Sequence, residues 1–149
     1  MTRPALVPEL YVSDLAASLE FYVDVLGFRI EYDRSEERFA ALSLGDAHLM
    51  LEEAPSLRRA TPAEFSAGQW RPADLEKPFG RGMNLEIEVE NVESAAVRLS
   101  ASGHALLLAP HERSYRVGDA QRIVCQLLVA DPDGYLIRLS QPRSGMLLE

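Results

Sequence analysis

The strongest fold signal in the chain is Tyr11-Val12-Ser13-Asp14-Leu15-Ala16-Ala17-Ser18-Leu19-Glu20-Phe21-Tyr22, followed by Leu26-Gly27-Phe28. Ser13-Asp14 provides a side-chain oxygen that can accept the free N–H groups of a first helical turn. Apolar residues then recur at helical spacing as far as Leu26. Gly27 can adopt the left-handed conformation that ends a helix. The stretch therefore predicts a strand, a capped amphipathic helix and a second strand in immediate succession.

The residues on either side complete a five-element module. Leu6–Val12 is an extended run that contains Pro8, which is typical of a strand that is not fully paired. After the helix, the patterns predict three strands, which are residues 28–33, 38–44 and 47–53. Gly45-Asp46 joins the last two as a tight hairpin. The first half therefore reads strand, helix, three strands.

The second half repeats this order. Asn91 is a helix cap and Gly103 a helix terminator, and an offset of 77 residues places Asp14 on Asn91 and Leu19 on Ala96. The predicted strands are residues 83–90, 105–109, 123–130 and 135–141, with a possible short strand at 114–117 and a strong turn at Asp131-Pro132-Asp133-Gly134. A matching cap, helix face, terminator and hairpin order indicates an internal duplication.

The duplication divides residues 1–149 within a single domain. Module 1 covers about residues 5–53, a connector covers 54–80, module 2 covers about 81–142, and 143–149 form a C-terminal tail. The connector has four prolines and no periodic pattern. A connector of this length inside a small domain is either an ordered functional loop or a module-joining linker. Trp70 within it predicts that part of it packs against the rest of the chain.

Composition excludes some classes of function. The chain has 149 residues, a net charge of −8 and a pI near 4.9, which argues against nucleic-acid binding because phosphates require clustered Lys and Arg. No apolar run reaches the roughly 20 residues that span a bilayer, and we expect a cytoplasmic protein. The single cysteine, Cys125, is expected to be a buried strand residue.

These residues, together with Leu127-Leu128-Val129-Ala130-Asp131-Pro132-Asp133-Gly134-Tyr135, resemble the vicinal-oxygen-chelate superfamily, which contains glyoxalase I, extradiol dioxygenases and bleomycin-resistance proteins. The stretch Gly45–Glu52 is most similar to the bleomycin-resistance branch. The resemblance implies an α+β fold of two tandem βαβββ modules whose curved mixed sheets surround a concave cavity.

In metal-dependent relatives, each module carries one metal ligand on its first strand and one on its last. The matching positions here are Val7, Met50 (or Glu52, if the alignment slips by two), Asn84 and Arg138. These residue types do not suit a divalent cation, so we expect neither a metal nor a catalytic residue. A rearranged metal centre is the alternative. It would use polar residues expected on the cavity face, namely Glu9, His48, Glu52, Glu86 and Glu88.

The leading hypothesis is a metal-free binding protein without a cofactor. Bleomycin-resistance proteins sequester a large cationic glycopeptide in clefts at a homodimer interface, and such sites need carboxylates and aromatic faces. The candidate ligand-binding residues are Glu9, Tyr32, Phe39, His48, Glu52, Trp70, Glu86, Tyr115 and Arg138. Arg138 either pairs with Glu86 or Glu52, or binds an acidic group of the ligand. A metal-dependent glyoxalase or dioxygenase-like enzyme and a general interaction module are the other hypotheses.

Overall fold

The computed structural model describes residues 3–143, and residues 147–148 as backbone only. In module 1 the elements are β1 (Glu9–Val12), α1 (Leu15–Leu19, continued by a π-helical segment, Glu20–Val25), β2 (Arg29–Arg34), a 3₁₀ turn (Ser35–Glu37), β3 (Phe39–Leu44) and β4 (Ala47–Glu53). The connector contains α2 (Pro62–Ser66). The remaining elements are β5 (Asn84–Glu88), α3 (Val92–Ala101), β6 (Leu106–Val117), β7 (Ala120–Ala130), β8 (Leu136–Pro142) and β9 (Leu147–Leu148).

The two halves form two sheets with the same topology. The first has the order β1-β4-β3-β2, the second has the order β5-β8-β7-β6, and β9 pairs with β7. In each sheet the first strand of the module runs parallel to the last one, and the other neighbours are antiparallel. The α+β fold of two tandem βαβββ modules is therefore confirmed.

The duplication extends to the helix caps. Asp14 has φ −149° and ψ 104°, and Asn91 has φ −149° and ψ 105°. Each side chain accepts a hydrogen bond from the N–H group three residues later. Glu53 at the end of β4 accepts from the first helical N–H of α1, and Gln141 of β8 does the same for α3. The repeated residues thus perform the same local function in both modules.

Two elements differ from the sequence prediction. Residues 106–117 form one continuous strand, β6, so the predicted break between residues 109 and 114 is wrong. Pro110 falls at a register irregularity between Leu108 and His111, where the missing N–H removes no ladder hydrogen bond. The connector also contains a short helix with a Thr61–Glu64 capping box, which has too few residues to show helical periodicity.

A single apolar core lies on one face of each sheet. It includes Phe21 and Tyr22 of α1, Leu99 of α3, and the inward residues of the central strands, such as Leu51 and Ile137. Cys125 is buried in β7, as predicted. Among the described residues, no helix has both the length and the apolar character needed to cross a membrane.

The connector is packed around a buried arginine. Arg71 is 1% exposed, and its Nε donates to the carbonyl of Arg58 at 2.9 Å. Its Nη1 donates to the Gln69 side chain at 2.9 Å, and Glu64 lies 3.7 Å from Nη2. Tyr11 of β1 attaches this segment to the first sheet, because its hydroxyl accepts from the Trp70 N–H at 2.8 Å. The segment from Arg58 to Arg71 is therefore an ordered structure attached to module 1, whereas the end of the connector contacts module 2, where the Phe79 N–H donates to the Asp133 carbonyl at 2.9 Å.

Candidate functional site

A cavity of about 230 Å³ lies on the face of the first sheet that is turned away from the core. Met50 of β4, Ala41 of β3 and Tyr32 of β2 are register neighbours and form its apolar floor. Arg3, Pro4 and Val7 of the N-terminal segment line one side. The cavity is thus built from three strands and the chain that precedes β1.

Two of the positions that the family resemblance matches to metal ligands lie together in this cavity, if Met50 rather than Glu52 is the matching residue of β4. Val7 and Met50 both line it, and the Met50 N–H donates to the Pro8 carbonyl at 2.8 Å, which holds the segment before β1 against β4. A branched aliphatic group and a thioether do not provide the imidazole or carboxylate ligands that a divalent cation of this kind requires. Module 1 has therefore replaced its half of the expected metal site with an apolar surface.

The corresponding positions of module 2 carry an amide and a cation. Asn84 begins β5, and the Nη2 atom of Arg138 in β8 lies 2.9 Å from Oε2 of Glu86. The predicted pairing of Arg138 with Glu86 is therefore confirmed. Within residues 3–143, no group of three or more His, Cys, Asp and Glu side chains has a geometry suited to a metal ion. The residues at the expected positions do not fit a divalent cation.

Glu31 adds a carboxylate to the cavity that strand alternation did not predict. In a regular strand the side chain of Glu31 would lie on the other face from those of Ile30 and Tyr32. The β2–β3 register, however, shifts between Ile30 and Tyr32. At such a bulge the regular alternation of faces is broken. Glu31 therefore lines the cavity beside Tyr32. A bulge depends on pairing with a neighbouring strand, so the β2 sequence carried no clear signal for it.

Hydrogen bonds hold the Glu31 carboxylate in place. Oε1 accepts from the Ser43 hydroxyl and from Arg29, whose Nη2 is 2.7 Å away. These bonds, first that from Ser43 and then that from Arg29, lower the pKa of Glu31. The carboxylate is consequently ionised and oriented at neutral pH. It is the one acidic side chain among the lining residues of this cavity.

The other predicted ligand residues occupy several places. His48 and Tyr32 line the cavity, and Tyr32 is 50% exposed. Phe39 is buried, with the Arg34 guanidinium 4.0 Å from its ring centroid. Trp70 lies in the connector and is 59% exposed. Glu86, Arg138 and Tyr115 belong to the second sheet. The structure therefore brings two of the nine residues together at this cavity.

Glu9 and Glu52 form a carboxyl pair on the first sheet, next to the connector. Glu9 lies opposite Met50 and Glu52 opposite Tyr11, so the two acids are diagonal neighbours on adjacent strands. Burial is the main cause that raises the pKa of Glu52 to about 7, followed by the hydrogen bond and the charge of Glu9 and by the charge of Glu37. Near neutral pH the pair therefore retains a proton that a free glutamate would have lost.

This shift predicts how Glu52 affects stability. The unfolded side chain loses its proton near pH 4.5, whereas the folded one keeps it until about pH 7, so stability falls as the pH rises through that interval. Glu52→Gln should raise the melting temperature by a few degrees at pH 8 and by much less at pH 5. Thermal unfolding followed by circular dichroism measures both values. Glu36→Gln, at an exposed neighbouring glutamate, is the matched control. Equal gains at both pH values would contradict the raised pKa.

Comparison with known proteins agrees with this architecture. The model of the Glyoxalase/Bleomycin resistance protein/Dioxygenase superfamily matches residues 5–139. No curated protein matches the chain. A superfamily member from Vibrio splendidus is 33% identical, with 91% of this chain and 95% of that one covered and a TM-score of 0.38.

Two solved structures with TM-scores above 0.6 share the fold. A glyoxalase/dioxygenase from Nostoc punctiforme is 21% identical, with coverages of 95% and 92% and a TM-score of 0.66. A protein of unknown function from Agrobacterium tumefaciens is 22% identical, with 95% of each chain covered and a TM-score of 0.66. The family match spans both modules, and the duplicated topology accounts for it. The chain belongs to the glyoxalase/bleomycin resistance protein/dioxygenase superfamily.

Proposed function

We propose that this chain is a metal-free binding member of the superfamily that sequesters a small aromatic cation. The observation that carries the proposal is the cavity of module 1, where Val7 and Met50 occupy metal-ligand positions and Glu31 provides one fixed carboxylate. A cytoplasmic homodimer that binds its ligand in a cleft, as in the bleomycin-resistance branch, is the arrangement we propose for the intact protein.

The size and surface of the cavity favour a planar ring. Its volume of about 230 Å³ is below the roughly 300–1,000 Å³ of sites for drug-sized ligands. It therefore suits one or two fused rings, and a large ligand such as a bleomycin-type glycopeptide would insert only a terminal group. Tyr32 offers a half-exposed ring at the edge, and Ala41 and Met50 offer an apolar floor. A thioether adapts readily to the face or edge of an aromatic ring.

The charges favour a cationic substituent on that ring. Glu31 is ionised and held by Ser43, while the two arginines near it, Arg29 with a side chain that is 76% exposed and Arg3 at the side of the cavity, are both exposed and therefore screened by water. The chain has a net charge of −8, which also attracts cations at long range. An ammonium group beside Glu31 and Tyr32 would gain both an ion pair and a cation–π contact.

Calorimetric titration with indole and tryptamine tests the proposal, because these molecules share a ring and differ in an ammonium group. Tryptamine should bind about tenfold more tightly than indole, corresponding to about 1.4 kcal/mol. Glu31→Gln should abolish that difference, whereas Asp33→Asn, which removes the same charge from an exposed position of β2, should preserve it. Equal binding of the two molecules, or no binding to the cavity, would contradict the proposal.

Metal analysis separates this proposal from the enzymatic alternative. Protein purified without chelators should contain far less than one equivalent of any divalent metal. Stoichiometric metal that is lost in Glu52→Ala would instead support a rearranged centre and overturn the binding function.

A further inference from the structure

A second surface with different chemistry lies on the open face of the second sheet. One row of register neighbours crosses four strands there: Glu86 of β5, Arg138 of β8, Leu128 of β7 and Leu108 of β6. Directly opposed residues of neighbouring strands share a face. Ile137, Leu139, Leu127 and Val129, which flank this row in sequence, are buried in the core. The row therefore points away from the core.

The guanidinium of Arg138 has more N–H donors than the neighbouring residues have acceptors for them. The Arg138 side chain is 28% exposed, and Glu86 is its only partner among the hydrogen bonds and ion pairs within residues 3–143. The Nε atom is buried and has no acceptor within the same part of the chain. A guanidinium has five N–H donors in a planar fork, and a buried donor without an acceptor destabilises the fold. Beyond its contact with Glu86, Arg138 therefore still has donors for a further acceptor.

Glu86 fixes the orientation of this guanidinium. Its Oε1 accepts from the Ser140 hydroxyl at 3.0 Å, and its Oε2 lies 2.9 Å from Nη2 of Arg138. The carboxylate of Glu86 is thus held from two sides. Glu86 also limits the charge of the anion that can approach, because it repels a dianion more strongly than a monoanion, and a monoanion can still pair with Arg138.

An apolar floor continues the row beyond the arginine. Leu128 is half-buried, and Leu108, which pairs with it between two register shifts of β6, is 48% exposed. Gln126 borders this floor, and its amide is held by the Tyr115 hydroxyl at 2.9 Å. The surface therefore has a cationic end and an apolar end on adjacent strands.

We propose that this surface, defined by Arg138, Glu86, Leu128 and Leu108, binds an amphipathic monocarboxylate. The carboxylate lies on the Arg138 fork, and the hydrocarbon part lies across the two leucines. This site uses none of the residues of the module 1 cavity. The proposal is therefore independent of the proposed binding of an aromatic cation. In module 2 a position that supplies a metal ligand in related enzymes has thus become an anion receptor.

Nuclear magnetic resonance of the arginine Nε–Hε groups gives a direct test with hexanoate as the probe. The Arg138 signal should shift in a saturable manner with hexanoate and more weakly with acetate, which lacks the hydrocarbon part. Arg71 and Arg98 are internal controls, because their Nε atoms already donate to carbonyls at 2.9 and 2.8 Å. Their signals should remain in place.

Variants define the contribution of the fork. Arg138→Lys keeps the charge but loses the planar donor pair, and it should weaken hexanoate binding at least about tenfold by calorimetry. Arg116→Gln, at an exposed arginine on β6, should leave binding unchanged. An unsaturable Arg138 shift, an equal shift with sodium chloride, or unchanged binding to Arg138→Lys would each overturn the proposal. Circular dichroism of each variant, measured in parallel, identifies any variant that has lost its fold.

Discussion

Gly134→Ala is expected to lower the free energy of unfolding by about 3 kcal/mol or more, a larger loss than at a typical turn glycine. A Cβ atom at this position would lie 2.5 Å from Cα and 2.6 Å from Cβ of Pro78 in the connector. Gly134 also has φ +92°, a conformation that L residues rarely adopt. The contact involves backbone on both sides, so neither segment can yield by rotating a side chain.

Gly27→Ala separates backbone strain from the steric clash. Gly27 has φ +91°, nearly the same as Gly134, but nothing lies within 4 Å of an added Cβ. It should lose only about 1–2 kcal/mol, the cost of the left-handed conformation. Urea unfolding followed by tryptophan fluorescence and circular dichroism measures both variants. Similar losses at the two positions would show that the contact between the connector and the turn contributes little.

Asp131→Ala should destabilise the fold by about 3–5 kcal/mol, because it removes a buried acceptor from three donors. Oδ1 accepts from the N–H groups of Asp133 and Tyr135, each at 2.9 Å, and Oδ2 accepts from the Tyr22 hydroxyl at 2.7 Å. Tyr22 belongs to α1, so this carboxylate connects the two modules. We expect the melting temperature to fall by about 10 °C or more.

Asp131→Asn is the informative counterpart. Its amide oxygen can still accept from the two backbone N–H groups, and burial already raises the pKa of Asp131, so loss of the charge relieves part of the desolvation cost. The loss should be less than half that of alanine. Asp119→Ala removes an exposed aspartate from the β6–β7 turn and should have almost no effect. If Asp131→Asn were as damaging as Asp131→Ala, the charge itself would be required.

Much of the fold was predictable because its signals are local. The caps at Asp14 and Asn91, the terminator Gly27 and the turn at residues 131–134 each act on a few neighbouring residues, and repetition of these signals revealed the duplication. The continuity of β6 was missed, because Pro110 reads as a strand breaker unless the register irregularity that accommodates it is known.

The candidate site was predicted only in part. Strand alternation, which is also a local rule, placed His48 on the cavity face, and His48 lines the cavity together with Tyr32, which was a candidate only for its aromatic ring. Glu31 was not placed there, because a bulge depends on the neighbouring strand β3. The unpartnered Nε of Arg138 was equally invisible, since it reflects the acceptors that surround one atom after folding.

The turn at residues 131–134 shows where the two kinds of information separate. Its residue types alone specify a tight turn before the last strand, since Asp, Pro and Gly restrict the backbone within a few residues. The packed chain adds two roles: Asp131 binds Tyr22 of the other module, and Gly134 admits Pro78 of the connector. The amino-acid pattern likewise establishes the superfamily and the unsuitability of Val7, Met50, Asn84 and Arg138 for a metal. Which carboxylate enters the cavity, and which arginine lacks an acceptor, depends on contacts between residues far apart in the chain, and short-range patterns do not encode such contacts.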